Sequence, residues 1–153
     1  MIKNSWTVAC QRALIDRESN LLTIVDVLEE LTLDADSKGQ APEFPAVAPL
    51  PFAVVSFWLR EDPDTATEGI ARVEIVGPNG EAIGQADGPI NLRDHETFRT
   101  IMRMAGFPVV GPGTHRIRVS HIIGESVIQD WDFPVRIKLV GFDAPTGEAI
   151  VGA

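Results

Sequence analysis

The stretch "VACQRALIDRESNLLTIVDVLEEL", residues 8–31, decides the fold, because it can form either one amphipathic helix or two strands joined by a turn. Helical spacing is present, since Leu21, Ile24 and Leu28 recur at i, i+3 and i+7. However, the stretch is rich in β-branched residues, whose χ1 angles are restricted in a helix. The polar run "DRESN", residues 16–20, has the composition of a turn. Periodicity alone leaves the helix and the two strands nearly balanced.

The rest of the chain favours strands. The stretch "ARVEIVGPNGEAIG", residues 71–84, alternates apolar and polar side chains and then supplies the Pro-Asn-Gly sequence of a hairpin turn. The stretches "HRIRVSHI" (115–122) and "WDFPVRIKL" (131–139) also alternate, and "LPFAVVSFWLR" (50–60) is an apolar run of strand length. Because local signals agree with one another across a well-specified fold, residues 8–31 are interpreted as two strands.

These segments predict an all-β fold, a single antiparallel β-sandwich of about seven to eight strands, immunoglobulin-like or C2-like. One domain is expected over residues 1–153, with a Pro-rich connection at 34–49 and a C-terminal tail at 140–153. The segment "HETFRTIMRM" (95–104) could be a strand or a helix. The predicted strands are 5–13, 20–33, 52–60, 70–76, 81–86, 95–104, 114–122 and 126–139.

The composition is that of a globular protein: of 153 residues, 44% are hydrophobic and 23% are charged. The formal net charge of −9 opposes binding to nucleic acid or to an anionic membrane, because both require a cationic surface. The single cysteine, Cys10, excludes an intrachain disulfide, and its apolar neighbours predict a core residue rather than a nucleophile. Since no secretion signal or membrane-spanning run is found, we expect a cytoplasmic protein.

The order of the segments carries a resemblance. The stretch "ACQRALIDRESNLLTIVDVLEEL", followed by "PFAVVSFWL", "VEIVGPNGEAI" and "GPGTHRIRV", resembles an uncharacterised family of small bacterial domains, a domain-of-unknown-function family. The resemblance covers roughly residues 5–139 and implies a β-sandwich. It transfers no catalytic residue, because the motifs that carry it are structural.

Motifs for common enzyme chemistries are missing from the sequence. There is no Gly-rich phosphate loop, nucleophile elbow, "HExxH" or paired "CxxC", so we predict no catalytic residues, no cofactor and no enzymatic activity. His115 and His121 lie on one predicted strand, and six residues of extended backbone separate them by about 20 Å. A single metal ion cannot bridge that distance.

Acidic residues concentrate at one end of the predicted sandwich. In an antiparallel sandwich, alternate connections lie at the same end, and this rule collects the connections after the first, third, fifth and seventh predicted strands. Calcium favours carboxylate oxygens on loops. The alternative function is therefore a protein that binds calcium or a small ligand at this acidic end. An unchanged melting temperature in a calcium titration would contradict the calcium version. The same acids could instead attract a basic partner or simply be solvated. The metal-ligand candidates are Asp16, Asp62, Asp64 and Asp94.

Basic residues lie on the polar faces of the three late strands. If these strands are neighbours, the cations form one basic patch that could bind an acidic protein or an anionic ligand. If 95–104 joins the other sheet, the patch divides, and pairing with acids on neighbouring strands would neutralise it. The partner-binding candidates are Arg99, Arg103, Arg116, Arg118, Arg136 and Lys138.

The predicted strand 52–60 is apolar on both faces. A sheet with one solvated face should alternate, so a covering segment is expected outside this strand. The 34–49 connection, the C-terminal tail or another chain could provide it. The sequence therefore favours, as the leading function, a non-enzymatic interaction module that binds another protein or itself.

Overall fold

The computed structural model describes residues 1–34, 39–40 and 42–141, and these residues form strands and no helix. Within these ranges, no helical segment has the length and hydrophobicity that a membrane crossing requires. The strands are β1 (Ile2–Ile15), β2 (Leu22–Val27), β3 (Glu30–Asp34), β4 (Ala46–Ala48), β5 (Phe52–Arg60), β6 (Thr67–Val76), β7 (Ala82–Leu92), β8 (Thr97–Met104), β9 (Phe107–Val109), β10 (Gly113–Ile123) and β11 (Ser126–Val140).

Two sheets pack face to face and form a β-sandwich, which confirms the predicted fold class. The front sheet has the strand order β2-β1-β5-β8 and the back sheet β3-β11-β10-β6-β7. The short strands β4 and β9 pair separately, and Phe107 of β9 packs on Phe52 at one end of the core, with ring centroids 5.4 Å apart. The finer expectation of an immunoglobulin-like or C2-like topology stays a prediction. The largest fully buried side chains include Trp58, Phe52, Phe107, Ile75, Ile90, Leu92 and Ile117.

The opening stretch forms strands, but its second strand is divided. β1 and β2 pair antiparallel around the turn at residues 16–20. The chain then leaves the front sheet after β2, where Asp26 has a φ of +55° and the buried Leu28 donates its N–H to Ala9 O. β3 joins the back sheet and runs parallel to β11. The predictions of one strand at 20–33 and of a wholly antiparallel sandwich are therefore wrong at this point.

The other predicted strands are present, and the strand count is higher than expected. The segment 52–60 coincides with β5, and 95–104 is a strand, β8, rather than a helix. Sequence analysis missed β4 and β9, because each has three residues and prolines interrupt their surroundings. With the division of the second strand, the described residues contain eleven strands instead of seven to eight.

The outer face of β5 is covered by the β1–β2 hairpin. β5 pairs with β1 only over Ile2–Cys10, whereas β2 pairs with β1 over Cys10–Ile15. The distal half of the hairpin therefore extends beyond the pairing with β5, and the contacts of Asn20 with Arg99 and of Ala13 with Arg103 place it over the outer side of the sheet. An outer cluster results, in which buried Cys10, Ala13, Ala53 and Val55 pack with the partly buried Val8, Leu22, Ile24 and Ile101.

This arrangement supplies a cover for β5 that the sequence did not predict. The expectation that β5 is apolar on both faces is confirmed, because Val54 and Trp58 face the core while Ala53 and Val55 face the outer cluster. Among the described residues, the cover is a segment of the hairpin, and the outer cluster contains no residue of the 34–49 connection. The alternatives of the C-terminal tail and of another chain stay predictions. Residues 35–38 and 41 of that connection, and the tail from residue 142 onward, lie outside the described residues. The prediction for Cys10 is confirmed, since it is fully buried.

Candidate functional site

The predicted basic patch is divided between the two sheets. Arg99 and Arg103 lie on β8, which pairs with β5 in the front sheet. The other four candidates lie on β10 and β11 in the back sheet. Because the chain crosses from one sheet to the other after β8, no single surface carries all six side chains. Of the two alternatives that the sequence left open, the structure has the divided patch. The four residues of the back sheet are Arg116, Arg118, Arg136 and Lys138.

Acidic neighbours offset much of the positive charge on the back sheet. Arg116 Nε lies 2.6 Å from Asp132 Oδ1 on the adjacent strand, and Arg118 lies in register with both Glu74 and Asp132. The Arg116–Asp132 pair is only partly buried, and ion pairs near the surface contribute little to stability, but they reduce the potential that an acidic partner would encounter. The outer face of the back sheet is thus mixed in charge rather than basic.

The two arginines of β8 contact the hairpin. Arg99 Nη2 donates to the backbone oxygen of Asn20 at 3.4 Å, and Arg103 Nη2 donates to that of Ala13 at 3.3 Å. One arginine contacts the end of the hairpin and the other contacts its base. Their visible role is to attach the hairpin to the front sheet.

Two of the four metal-ligand candidates, Asp16 and Asp62, accept hydrogen bonds within their own turns. Asp16 Oδ1 accepts the N–H groups of Glu18 and Ser19, both at 2.8 Å. Asp62 accepts the N–H of Asp64 at 3.0 Å and the hydroxyl of Thr65 at 2.8 Å. These bonds favour the charged carboxylates and lower the pKa of both aspartates.

The structure does not gather the candidates into a coordination sphere. Among the described residues, no group of three or more His, Cys, Asp or Glu side chains is placed to hold a metal ion. Asp94 instead borders a groove that Asp16, Asp62 and Asp64 do not line. Calcium binding stays a prediction, without a preformed site among these residues to support it.

Three acidic connections do meet at one end of the sandwich. Arg60 N donates to Glu96 O at 3.0 Å and Glu61 N donates to Met1 O at 2.9 Å, which brings the β5–β6 and β7–β8 connections to the start of β1. The tip of the hairpin faces the same end, because Asn20 and Asp94 line one groove. In or beside these connections, acidic residues outnumber arginines. The acids are Asp16, Glu18, Glu61, Asp62, Asp64, Asp94 and Glu96, and the arginines are Arg17, Arg60 and Arg93.

A groove of about 700 Å³ lies between the hairpin tip and β8; we call it the loop-end groove. Ile15 and Asn20 form one wall, residues 94–99 form the other, and Phe57 and Ile101 contribute apolar surface. Acidic side chains of Asp94 and Glu96 and the imidazole of His95 occur along the second wall. The groove therefore combines an apolar surface with a border on which two acids, Asp94 and Glu96, outnumber one base, Arg99.

Aromatic surface continues outward from the groove. Trp6 stacks on Phe57 with ring centroids 5.7 Å apart and an interplanar angle of 6°. Trp6 is 39% exposed and Ile15 is 41% exposed, which is high for large apolar side chains in a folded domain. Sequence analysis named only Asp94 and Arg99 among the groove residues. It missed the rest because the groove exists only where the hairpin folds back over β5 and β8.

The core contains a buried His–Asp pair. His121 Nδ1 lies 2.7 Å from Asp130 Oδ2, and the two side chains are 4% and 10% exposed. Asp130 is the extra residue of a β-bulge, since Ser120 pairs with Gln129 and Val119 pairs with Trp131. Burial raises the pKa of Asp130, against the effect of its hydrogen bond with His121. His121 and Asp130 line neither the loop-end groove nor a second groove of about 260 Å³, which residues 11–14 line at the base of the hairpin, so we interpret the pair as structural.

His115 is a second buried histidine with partners of its own. Its Nε2 accepts the N–H of Val110 at 3.2 Å, and its Nδ1 lies 3.4 Å from Gly113 O, so the neutral ring satisfies both nitrogens. Phe107 packs edge-on against the ring at 6.1 Å. Burial lowers the pKa of His115 below its ordinary value of 6.5.

This environment predicts a loss of stability in mild acid. Below pH 6.5 the unfolded chain binds a proton that folded His115 resists, so the free energy of unfolding falls as the pH falls, by at most about 1.4 kcal/mol per pH unit. Urea unfolding of the wild type and of His115→Phe at pH 7.5 and pH 5.5 measures the difference. We expect a smaller pH dependence in the variant. Equal pH dependence in the two proteins would contradict the prediction.

No protein-family model and no curated protein matches the chain. The resemblance to a small bacterial domain family stays a prediction.

Proposed function

We propose that this protein is a non-enzymatic interaction module that binds a basic segment of a partner protein in the loop-end groove. The observation that carries the proposal is the combination, at one place, of an exposed apolar surface with an acidic border. No catalytic residue and no cofactor enter the proposal, and it agrees with a cytoplasmic location away from nucleic acid and membrane.

The apolar part of the argument rests on size and exposure. A volume of about 700 Å³ falls within the roughly 300–1,000 Å³ typical of ligand sites. Trp6, stacked on Phe57, and Ile15 expose apolar surface next to it. Clustered aromatic side chains are enriched among the residues that dominate binding energy at interfaces. An apolar side chain of the partner would be anchored here.

The charge of the surroundings favours a basic partner. Asp94 and Glu96 border the groove, and the adjoining connections add further acids. A cationic segment approaching this end would be attracted over a distance of about 10 Å at moderate ionic strength. A lysine or arginine could also stack on the exposed face of Trp6 through a cation–π contact.

The same charges bear on the choice between another protein and a second copy. A symmetric contact between two loop ends would bring two acidic surfaces together, which costs free energy. We therefore favour a different protein as the partner over self-association at this surface. A calcium or small-ligand site at the acidic end is the alternative proposal, and a rise in melting temperature on adding calcium would support it.

Charge reversal at the groove border is expected to weaken binding of basic peptides. The probe is an array of twelve-residue peptides in which lysine, glutamate and aromatic content vary independently. We expect the wild type to select peptides that contain both lysine and aromatic residues, and to bind them more weakly at high salt. In Asp94→Lys/Glu96→Lys, we expect the Kd for these peptides to rise by about tenfold. Isothermal titration calorimetry measures the affinities.

The matched control carries the same change in net charge at the opposite end of the sandwich. Glu43→Lys/Glu81→Lys replaces two exposed acids, one before β4 and one in the β6–β7 turn. Equal losses of affinity in the two double variants would show that only net charge matters, which contradicts a site in the groove. Selection of acidic peptides by the wild type would contradict it as well.

A further inference from the structure

We propose that the distal part of the β1–β2 hairpin, residues 11–26, is a flap that opens from the front sheet and uncovers the outer cluster as a floor for the partner segment. This inference rests on the proposed function, because the uncovered floor would extend the loop-end groove. The motion itself can be tested without any partner.

The hydrogen-bond ladder defines where the flap begins. Cys10 is the last residue of β1 that pairs with β5, and it is also the first that pairs with β2. Beyond it, β1 and β2 pair with each other and not with β5. On the returning strand, the bond from Leu28 N to Ala9 O marks the corresponding boundary. The flap can therefore move as an intact two-stranded unit without breaking the ladder between β1 and β5.

Few contacts hold the flap closed. Its apolar contribution to the outer cluster consists of one alanine, Ala13, and two partly buried residues, Leu22 and Ile24. Its polar attachments to β8 are the two long hydrogen bonds from Arg99 and Arg103, at 3.4 and 3.3 Å. Segments with little buried apolar surface lie at the low end of local stability, so they open without global unfolding.

Two grooves flank the flap. The loop-end groove lies at its tip, and a second groove of about 260 Å³ lies at its base, where residues 11–14 face 51–53 and Arg103. The outer cluster separates them. Opening the flap would join the two grooves into one trench along β5 from Phe57 to Ala53, about 13 Å long. That length accommodates about four residues of an extended chain.

The reactivity of Cys10 reports on the flap. Cys10 is fully buried in the outer cluster and is the only cysteine of the chain. A thiol reagent is applied to the whole protein at a series of urea concentrations below the unfolding transition. We expect a labelling rate that exceeds the rate permitted by global unfolding and that depends weakly on urea, because a local opening exposes little surface. Labelling that follows global unfolding at every urea concentration would overturn the proposal.

Removal of the two arginine attachments should favour the open flap. We expect Arg99→Ala/Arg103→Ala to label about tenfold faster than the wild type. Burial raises the pKa of the Cys10 thiol and the positive charge of Arg103 partly opposes this rise, so loss of that charge alone would slow the reaction. Faster labelling therefore reports opening. The control Arg136→Ala/Lys138→Ala removes the same charge from the back sheet, and its Cys10 should be labelled at the wild-type rate. A labelling rate of Arg99→Ala/Arg103→Ala no higher than that of this control would overturn the proposal.

A final measurement separates the flap from the proposed function. A lysine-plus-aromatic peptide that occupies the trench should protect Cys10 and slow its labelling at least about fivefold at saturation. Local labelling with no peptide binding at any composition supports the flap and overturns the proposed function. A peptide that binds without protecting Cys10 overturns the extension of the groove under the flap.

Discussion

The variant Trp58→Ala is expected to lower the free energy of unfolding by about 3 to 5 kcal/mol, the largest effect of any substitution considered. Trp58 has no exposed surface, and its Nε1 donates to the hydroxyl of Thr100 at 2.9 Å. The ring also packs edge-on against His121, with centroids 5.9 Å apart. Truncation to alanine leaves a cavity between the sheets, and the hydroxyl of Thr100 loses its donor.

The matched control is the other tryptophan of the front sheet described above. Trp6→Ala removes a ring that is 39% exposed and stacked on Phe57, and we expect a loss below about 1.5 kcal/mol. Urea unfolding followed by circular dichroism measures both variants. A loss in Trp58→Ala no larger than that in Trp6→Ala would contradict the assignment of Trp58 to the core. Trp6→Ala is also expected to weaken binding of basic peptides, since it removes part of the proposed surface.

The second large effect concerns the buried His–Asp pair. Asp130→Ala is expected to lower the free energy of unfolding by about 2 to 3 kcal/mol, because His121 would keep a buried ring nitrogen without its partner. The short contact of 2.7 Å and the low exposure of both side chains place this pair away from solvent screening. Measurement is by urea unfolding at pH 7.5.

A double variant distinguishes loss of a partner from loss of packing. Replacing both groups, in His121→Phe/Asp130→Val, removes the polar atoms together, so no unsatisfied nitrogen is left in the core. The two single variants of this comparison are His121→Phe and Asp130→Val. We expect the double variant to lose less free energy of unfolding than the sum of their two losses. Additive losses would show that the two side chains do not stabilise each other.

Much of the local structure can be predicted from the sequence, because it depends on side chains that are close along the chain. Alternation identified β6, β10 and β11, and the apolar run identified β5. The Pro-Asn-Gly signal also identified the β6–β7 turn, where Gly80 has a φ of +84° and Gly77 N donates to Glu81 O. That conformation is accessible to glycine at little cost, so the turn follows from residue type.

The candidate site was predictable only in part. The acidic character of one end follows from the alternation of connections in an antiparallel sandwich, and Asp94 and Arg99 were named from the sequence. The apolar residues of the groove were not, because Ile15, Phe57 and Ile101 are distant in the chain and meet only through the folded-back hairpin. Likewise, Asp130 reaches His121 through a bulge that alternation does not reveal.

The sequence by itself determined the longer strands, apart from the division at 20–33, and it determined which side chains share a face of each, since alternation has a period of two. Tertiary structure decided which strands are neighbours. In the folded protein, β3 lies in the back sheet and β8 lies in the front sheet. The position of β8 separates Arg99 and Arg103 from the basic residues of β10 and β11. It also folded the hairpin over Ala53 and Val55. The physical reason is that alternation specifies a buried face without specifying what buries it, and that choice is made by packing between segments far apart in the chain.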